Sequence, residues 1–180
     1  MNGQILNPVT GDAMRILRSS GDLVEFAFTL PPASTGSPLH FHRGITETFA
    51  VQSGTLAMIH GDPSMPIHLT AGQSITVTPP ALHRFWNPGP EPVEFLCTVS
   101  PGADFEVFMR AHYQLAIQGL ASPSGMPKSL LEAVVMIHLA DFNVPGLPGG
   151  LQHLLRTALV GLARLSGAEA HIHQLAQQTS

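Results

Sequence analysis

From about residue 12 to residue 100 the chain is a series of short runs, MRIL, LVEFAFTL, LHFH, TETFAVQ, TLAMIH, PIHL, SITVT, HRFW and VEFLCTV. Between them, at nearly regular intervals, stand SSGD, PPASTGSP, HGDPSMP, TAGQ, TPPA and NPGPEP. Each run is too short for a stable helix, and each break is rich in the residues that build turns. Many short, evenly spaced strands joined by Gly/Pro turns specify an antiparallel sandwich or barrel. No internal repeat is visible, so the reading is one barrel and not two.

After SPGAD the period changes. Phe105, Phe108, Met109, His112 and Leu115 recur at helical spacing, with Asp104 and Glu106 placed to favour a helix start. A second helix is expected over about 128–141. A third is expected over about 150–165, where Leu151, Leu154, Leu155, Ala158, Leu159 and Leu162 form one apolar stripe, with Arg156 and Arg164 off it. The chain therefore divides into a mainly β unit, residues 1–103, and a C-terminal extension of about three α-helices, residues 104–180.

Composition narrows the function classes. Eight Lys+Arg against twelve Asp+Glu leave a net charge of -4 with no basic cluster, which disfavours a nucleic-acid partner. Charged residues are only 11% and the mean hydropathy is +0.20, most of the apolar excess lying beyond residue 103. Lys128, Glu132, Asp141, Arg156 and Arg164 keep every run there below the ~18 apolar residues of a membrane span. Buried helices or a subunit interface account for the excess instead. The single cysteine, Cys97, cannot form an intramolecular disulfide, and MNGQILNPVTGD has neither a basic nor an apolar leader segment. These features point to a cytoplasmic protein.

The stretch HFHRGITETF, residues 40–49, carries the chemistry. Side chains alternate faces along a strand, so His40 and His42 point one way and Phe41 the other. Glu47 follows a turn-like Arg43-Gly44, and Gly54, Gly72, His83 and Asn87 come after it. With these spacings the chain resembles the cupin superfamily, whose motifs are G(x)5HxH(x)3-4E(x)6G and G(x)5PxG(x)2H(x)3N. His40, His42, Glu47 and Gly54 match the first motif, and Gly72, His83 and Asn87 the second. The chain departs at Ser34, where the first motif has glycine and Gly36 lies two residues later. It departs again at Thr78 and Pro80, where the second motif has proline and glycine. The resemblance covers roughly residues 20–100.

The resemblance implies a cupin double-stranded β-helix, or jelly-roll, barrel, with His40, His42, Glu47 and His83 holding one divalent transition metal ion. Three imidazoles and a carboxylate suit Fe, Mn, Ni, Cu or Zn, with Fe slightly favoured, and do not suit Mg or Ca. Four protein ligands leave positions open for other molecules. Cupins commonly dimerise, so a homodimer is expected, and the helices are read as either a lid or the dimer interface.

Around the ligands, Phe49, Met58 and Phe85 share faces that line the barrel and suit a small, largely apolar organic substrate. Arg43 stands beside the ligands as a possible anchor for a substrate carboxylate. Glu25 is a second acid/base if its face of LVEFAFTL lines the barrel, and a solvent-facing glutamate otherwise. Trp86 and Asn87 support the cavity mouth. His138 and Asp141, three apart on a helix, read as a local hydrogen-bonded pair; His171 and His173 read as a tail feature.

Three functions remain open on this reading. The first is a mononuclear metalloenzyme of dioxygenase type, with Glu47 able to double as a base. The second uses the ion as a Lewis acid for isomerase, cyclase or lyase chemistry. The third is a non-catalytic small-molecule binding cupin.

Overall fold

The computed structural model describes residues 3–178. Among them lie nine strands followed by four helices. A six-stranded antiparallel sheet takes its strands in the order β1 (Ile5–Leu6), β2 (Ala13–Ser19), β3 (Val24–Leu30), β9 (Val93–Ser100), β4 (Thr46–Ser53) and β7 (Ser74–Val77). A three-stranded sheet has the order β6 (Ile67–Thr70), β5 (Thr55–His60), β8 (His83–Trp86). Non-sequential neighbours such as β3 and β9 show the crossovers of a jelly roll.

Alternation decides which side of each strand faces inward. In β3, Val24, Phe26, Phe28 and Leu30 are buried while Glu25, Ala27 and Thr29 are half-buried on the other face. β9 repeats the pattern with Val93, Phe95, Cys97 and Val99 inside. Phe26, Phe28, Phe49, Leu56, Met58 and Phe95 then meet in one core between the sheets. The expected strand LHFH forms only two isolated bridges, His40 to His83 and Phe41 to Asn143. Pro38 before it and the Arg43-Gly44 turn after it leave no length for a ladder, yet the alternation holds: His40 and His42 are buried and Phe41 is half-buried.

Glycine is required at position 36. Its φ is +62°, and a Cβ there would stand 1.8 Å from the Phe85 carbonyl oxygen, so no other residue fits without moving β8. The loop thus carries its glycine two residues later than the motif position, and Ser34 accepts a hydrogen bond from the Gly36 N–H at 3.3 Å.

The helices are α1 (Ala103–Ile117), α2 (Leu130–Leu139), α3 (Gly149–Ser166) and α4 (Ala168–Gln177). The first three match the expected positions. The fourth, holding His171 and His173, is an addition to the expected three; it starts at Gly167, whose left-handed φ of 82° also ends α3. Ser129 caps α2, accepting from the Glu132 N–H. α1 belongs to two cores at once: Phe105, Met109 and Tyr113 enter the barrel core, whereas Ala111, Leu115 and Ala116 enter a second core with α2 and α4. The helical extension is therefore continuous with the barrel.

α3 inverts the burial that its sequence suggests. Arg156, Val160 and Ala163 face inward, while Leu151, Leu154, Leu155, Leu159, Leu162 and Leu165 are exposed. Among the described residues, no helix is long and apolar enough to cross a membrane.

Candidate metal centre

Four buried side chains from three segments converge inside the barrel: His40 and His42 from the bridge segment, Glu47 near the start of β4 and His83 at the start of β8. Their ligand atoms all lie within 4.8 Å of one another. His83 Nε2 stands 2.8 Å and His42 Nε2 3.3 Å from the same oxygen, Glu47 Oε2. The three rings pack with centroids 4.1 to 5.1 Å apart.

Each imidazole is oriented by a backbone carbonyl at its other nitrogen. The partners of Nδ1 are Pro38 O for His40 at 2.8 Å, Asp141 O for His42 at 3.3 Å and Ala81 O for His83 at 3.0 Å. A carbonyl can only accept, so Nδ1 carries a proton in each contact and Nε2 is the nitrogen turned inward, with a lone pair whenever the ring is neutral. That is how imidazoles that bind metal are held.

Three inward lone pairs beside a carboxylate repel unless something positive lies among them. His42 Nε2 has no hydrogen-bond partner, although it is buried. One cation at the centre satisfies it together with the other three donor atoms. Three imidazole nitrogens and one carboxylate oxygen suit borderline transition ions and not the oxygen-seeking Mg or Ca. The residues fit such an ion.

Electrostatics follow from the same packing. Burial alone would raise the Glu47 carboxyl, but the His42 and His83 imidazoles beside its Oε2 outweigh burial and hold Glu47 well below the usual carboxylate range. Burial, reinforced by repulsion from His83, pushes His40 down to about 3. For His42, burial is outweighed by Glu47, and its basicity is raised.

The tail closes the site. The Phe142 ring stacks on His40 at 4.3 Å and 6°, and Phe105 meets His42 edge-on at 6.2 Å. Surface cavities of about 380 and 330 Å³ lie elsewhere, the first beside Arg15, Glu94 and Leu96, the second beside Glu106, Arg110 and His173.

Of the other residues singled out in the sequence, Phe49, Met58 and Phe85 pack into the barrel core, Phe49 and Phe85 with ring centroids 5.5 Å apart. Glu25 does not join the site. Its register row runs Glu25–Thr98–Thr48, whereas Glu47 aligns with Val99 and Val24, on the opposite face. There its carboxylate accepts from Thr98 Oγ1 at 3.3 Å and stands 3.9 Å from Arg18. Arg43 is an exposed turn residue that acts through its backbone, its N–H donating to Asp141 Oδ2 at 2.6 Å. Asn87 is buried and bonds Pro31 O, Glu91 O and Gly89 N at 2.8 to 2.9 Å, so it braces the 88–92 loop. Trp86 packs under the Arg84 guanidinium, 5.0 Å away.

The expected His138–Asp141 side-chain pair does not form. The Asp141 carboxylate instead accepts from the backbone of Arg43 and Gly44, from Asn143 and from Arg156. His171 is also more than a tail feature, standing 2.8 Å from Glu132 across α4 and α2. Asp141, Phe142 and Arg156 are the site residues that sequence reasoning missed. Asp141 and Phe142 reach the ligand segment across about a hundred positions, and Arg156 reaches them across 14 and 15, so no motif spacing announces them.

The Cupin domain family model matches residues 26–99. No curated protein matches the chain. Among solved structures, a conserved protein with a double-stranded β-helix domain from Klebsiella pneumoniae is 27% identical, covering 54% of this chain and 84% of its own, with a TM-score of 0.47. An RmlC-like cupin from Shewanella frigidimarina is 23% identical over 54% of this chain and 82% of its own, with a TM-score of 0.47. The polyketide cyclase RemF from Streptomyces resistomycificus is 19% identical over 50% of this chain and 65% of its own, with a TM-score of 0.46. The jelly-roll barrel, the HxH…E…H cluster and the family match fall on the same strands, so residues 26–99 form a cupin domain.

Proposed function

We propose that this cupin is a mononuclear metalloenzyme of dioxygenase type acting on a small, largely apolar organic substrate. The observation that carries the reading is the orphaned, buried Nε2 of His42, turned with the other imidazoles toward Glu47. His40, His42, Glu47 and His83 would hold the ion. When bound, a redox-active ion of this class supplies a Lewis-acidic centre able to activate dioxygen.

The residues do the rest. Three Nδ1–H groups anchored on carbonyls keep the imidazoles pointing inward. Glu47, buried and ionised, can take a proton at Oε2 from a bound substrate once that oxygen is free. Phe105 packs edge-on against His42 and Phe142 lies flat on His40, and the two rings keep water from the imidazoles.

A second copy of the chain completes the proposal. Leu151, Leu155, Ala158, Leu162 and Leu165 follow alternating steps of four and three along the exposed face of α3. That spacing suits pairing with the same helix of another copy, and none of the five carries a charge. Cys97, buried in β9, remains a thiol in the cytoplasmic setting proposed here.

Oxygen uptake tests the chemistry. Fe(II)-loaded protein, incubated with a panel of phenols and diketones in an oxygen electrode, is expected to consume O2 with at least one of them. Turnover without O2 uptake, and equally good with zinc, assigns isomerase, cyclase or lyase chemistry instead. Binding of panel members without turnover under either metal assigns a binding module.

A further inference from the structure

Arg156 is the inward-facing charge of α3, only 7% exposed, on a helix whose leucines face outward. A buried guanidinium is costly unless its partners are well placed, and burying one adds little net stability. Here its partners lead directly to the metal centre. Nη2 donates to Asp141 Oδ1 at 3.1 Å and Nη1 to the Phe142 carbonyl at 3.2 Å.

Asp141 stands in turn at φ 44°, a left-handed conformation that aspartate tolerates better than most residues, and its surroundings hold it there. Those surroundings are on both sides of the chain. Besides Arg156, the Arg43 and Gly44 N–H groups donate to Asp141 Oδ2 at 2.6 and 2.8 Å, and Asn143 Nδ2 donates to the Asp141 carbonyl at 2.7 Å. The same carbonyl accepts from His42 Nδ1. Phe142, the next residue, lies flat on His40.

We infer that Arg156 is a positioning residue of the metal centre, clamping Asp141 and Phe142 so that the Asp141 carbonyl fixes the ring of His42 and Phe142 covers His40. The inference rests on the metal-centre reading of the four ligands, but its structural half is measurable without metal. His40 and His83 take their orienting carbonyls from Pro38 and Ala81, two residues away in the barrel, so among the three rings it is His42 whose orienting carbonyl comes from the tail.

The test uses the full chain with Arg156→Met, Arg156→Lys and Asp141→Asn. In the metal-free protein, long-range 1H–15N imidazole spectra should show His42 as a single Nδ1–H tautomer in the wild type and as a tautomer mixture in Arg156→Met, with His83 unchanged. Zinc affinity, read by competition with a chromogenic chelator, should fall about tenfold, at the lower end of what loss of an outer partner costs. Arg156→Lys should recover part of both. A folded Arg156→Met protein with wild-type His42 tautomer and wild-type zinc affinity overturns the inference. If Arg156→Met does not fold, Asp141→Asn decides: it keeps the carbonyl while removing the charge that Arg156 holds, and an unchanged tautomer and affinity again overturn the inference. A wild-type chain that binds no zinc counts against the metal reading, and the metal-free spectra still decide whether Arg156 positions His42.

Discussion

Glu47 holds a negative charge in a place where imidazole nitrogens are its nearest partners, and that arrangement has two measurable consequences. Glu47→Gln keeps the shape and removes the charge, so the ion should bind more weakly by more than the roughly 10–100-fold typical of outer-shell changes; calorimetric titration with zinc reads the loss. The second consequence is pH dependence. Imidazoles bind metal only when Nε2 is unprotonated. His40, held down to about 3, offers no competition from protons at ordinary pH, whereas His42, raised above 6.5, does. A group of raised pKa is increasingly protonated as pH falls through its value, so zinc affinity should decline on lowering the pH from 8.5 to 5.5. The decline should begin above 6.5 and approach one log unit per pH unit, for one proton displaced per ion.

Among the elements, the short loop before the HxH segment sets the position of β8 and hence of His83. Gly36→Ala puts a Cβ into the Phe85 carbonyl at a left-handed φ, and should cost about 2 kcal/mol or more, read as a lower midpoint in urea denaturation. The strands and three ligand-bearing segments were legible because alternation and spacing are local: Phe26 and Phe28 share one face of β3, and His40 and His42 share one face of their segment. Glu25 was undecidable from its own strand, since either face of LVEFAFTL can be the inner one until β9 and β4 set the register. α3 misled in the other direction. Its leucine stripe reads as a core face, yet the core takes Arg156, because Asp141 and the Phe142 carbonyl, not apolar side chains, are what α3 packs against there. Asp141 stands three residues from His138, a helical spacing that its left-handed backbone, just beyond the end of α2, makes irrelevant.

At the scale of the whole molecule, the helices and the barrel form one structure, with α1 in both cores and the segment after α2 over the imidazoles. The leucine face of α3 stays exposed. Replacing Leu155 and Leu162 by Glu should convert a two-chain species to a single chain in sedimentation while leaving metal binding intact, since both side chains point away from the site. A two-chain species that survives both substitutions would place the interface elsewhere.

The central claim is that three imidazoles and one carboxylate are gathered here to hold an ion. Elemental analysis of the wild-type protein and of His42→Ala, each purified without added metal and then again after reconstitution, tests it most directly. About one equivalent of a transition ion per wild-type chain, lost in His42→Ala, is the predicted result. A folded wild-type protein that retains no ion even after reconstitution would contradict it.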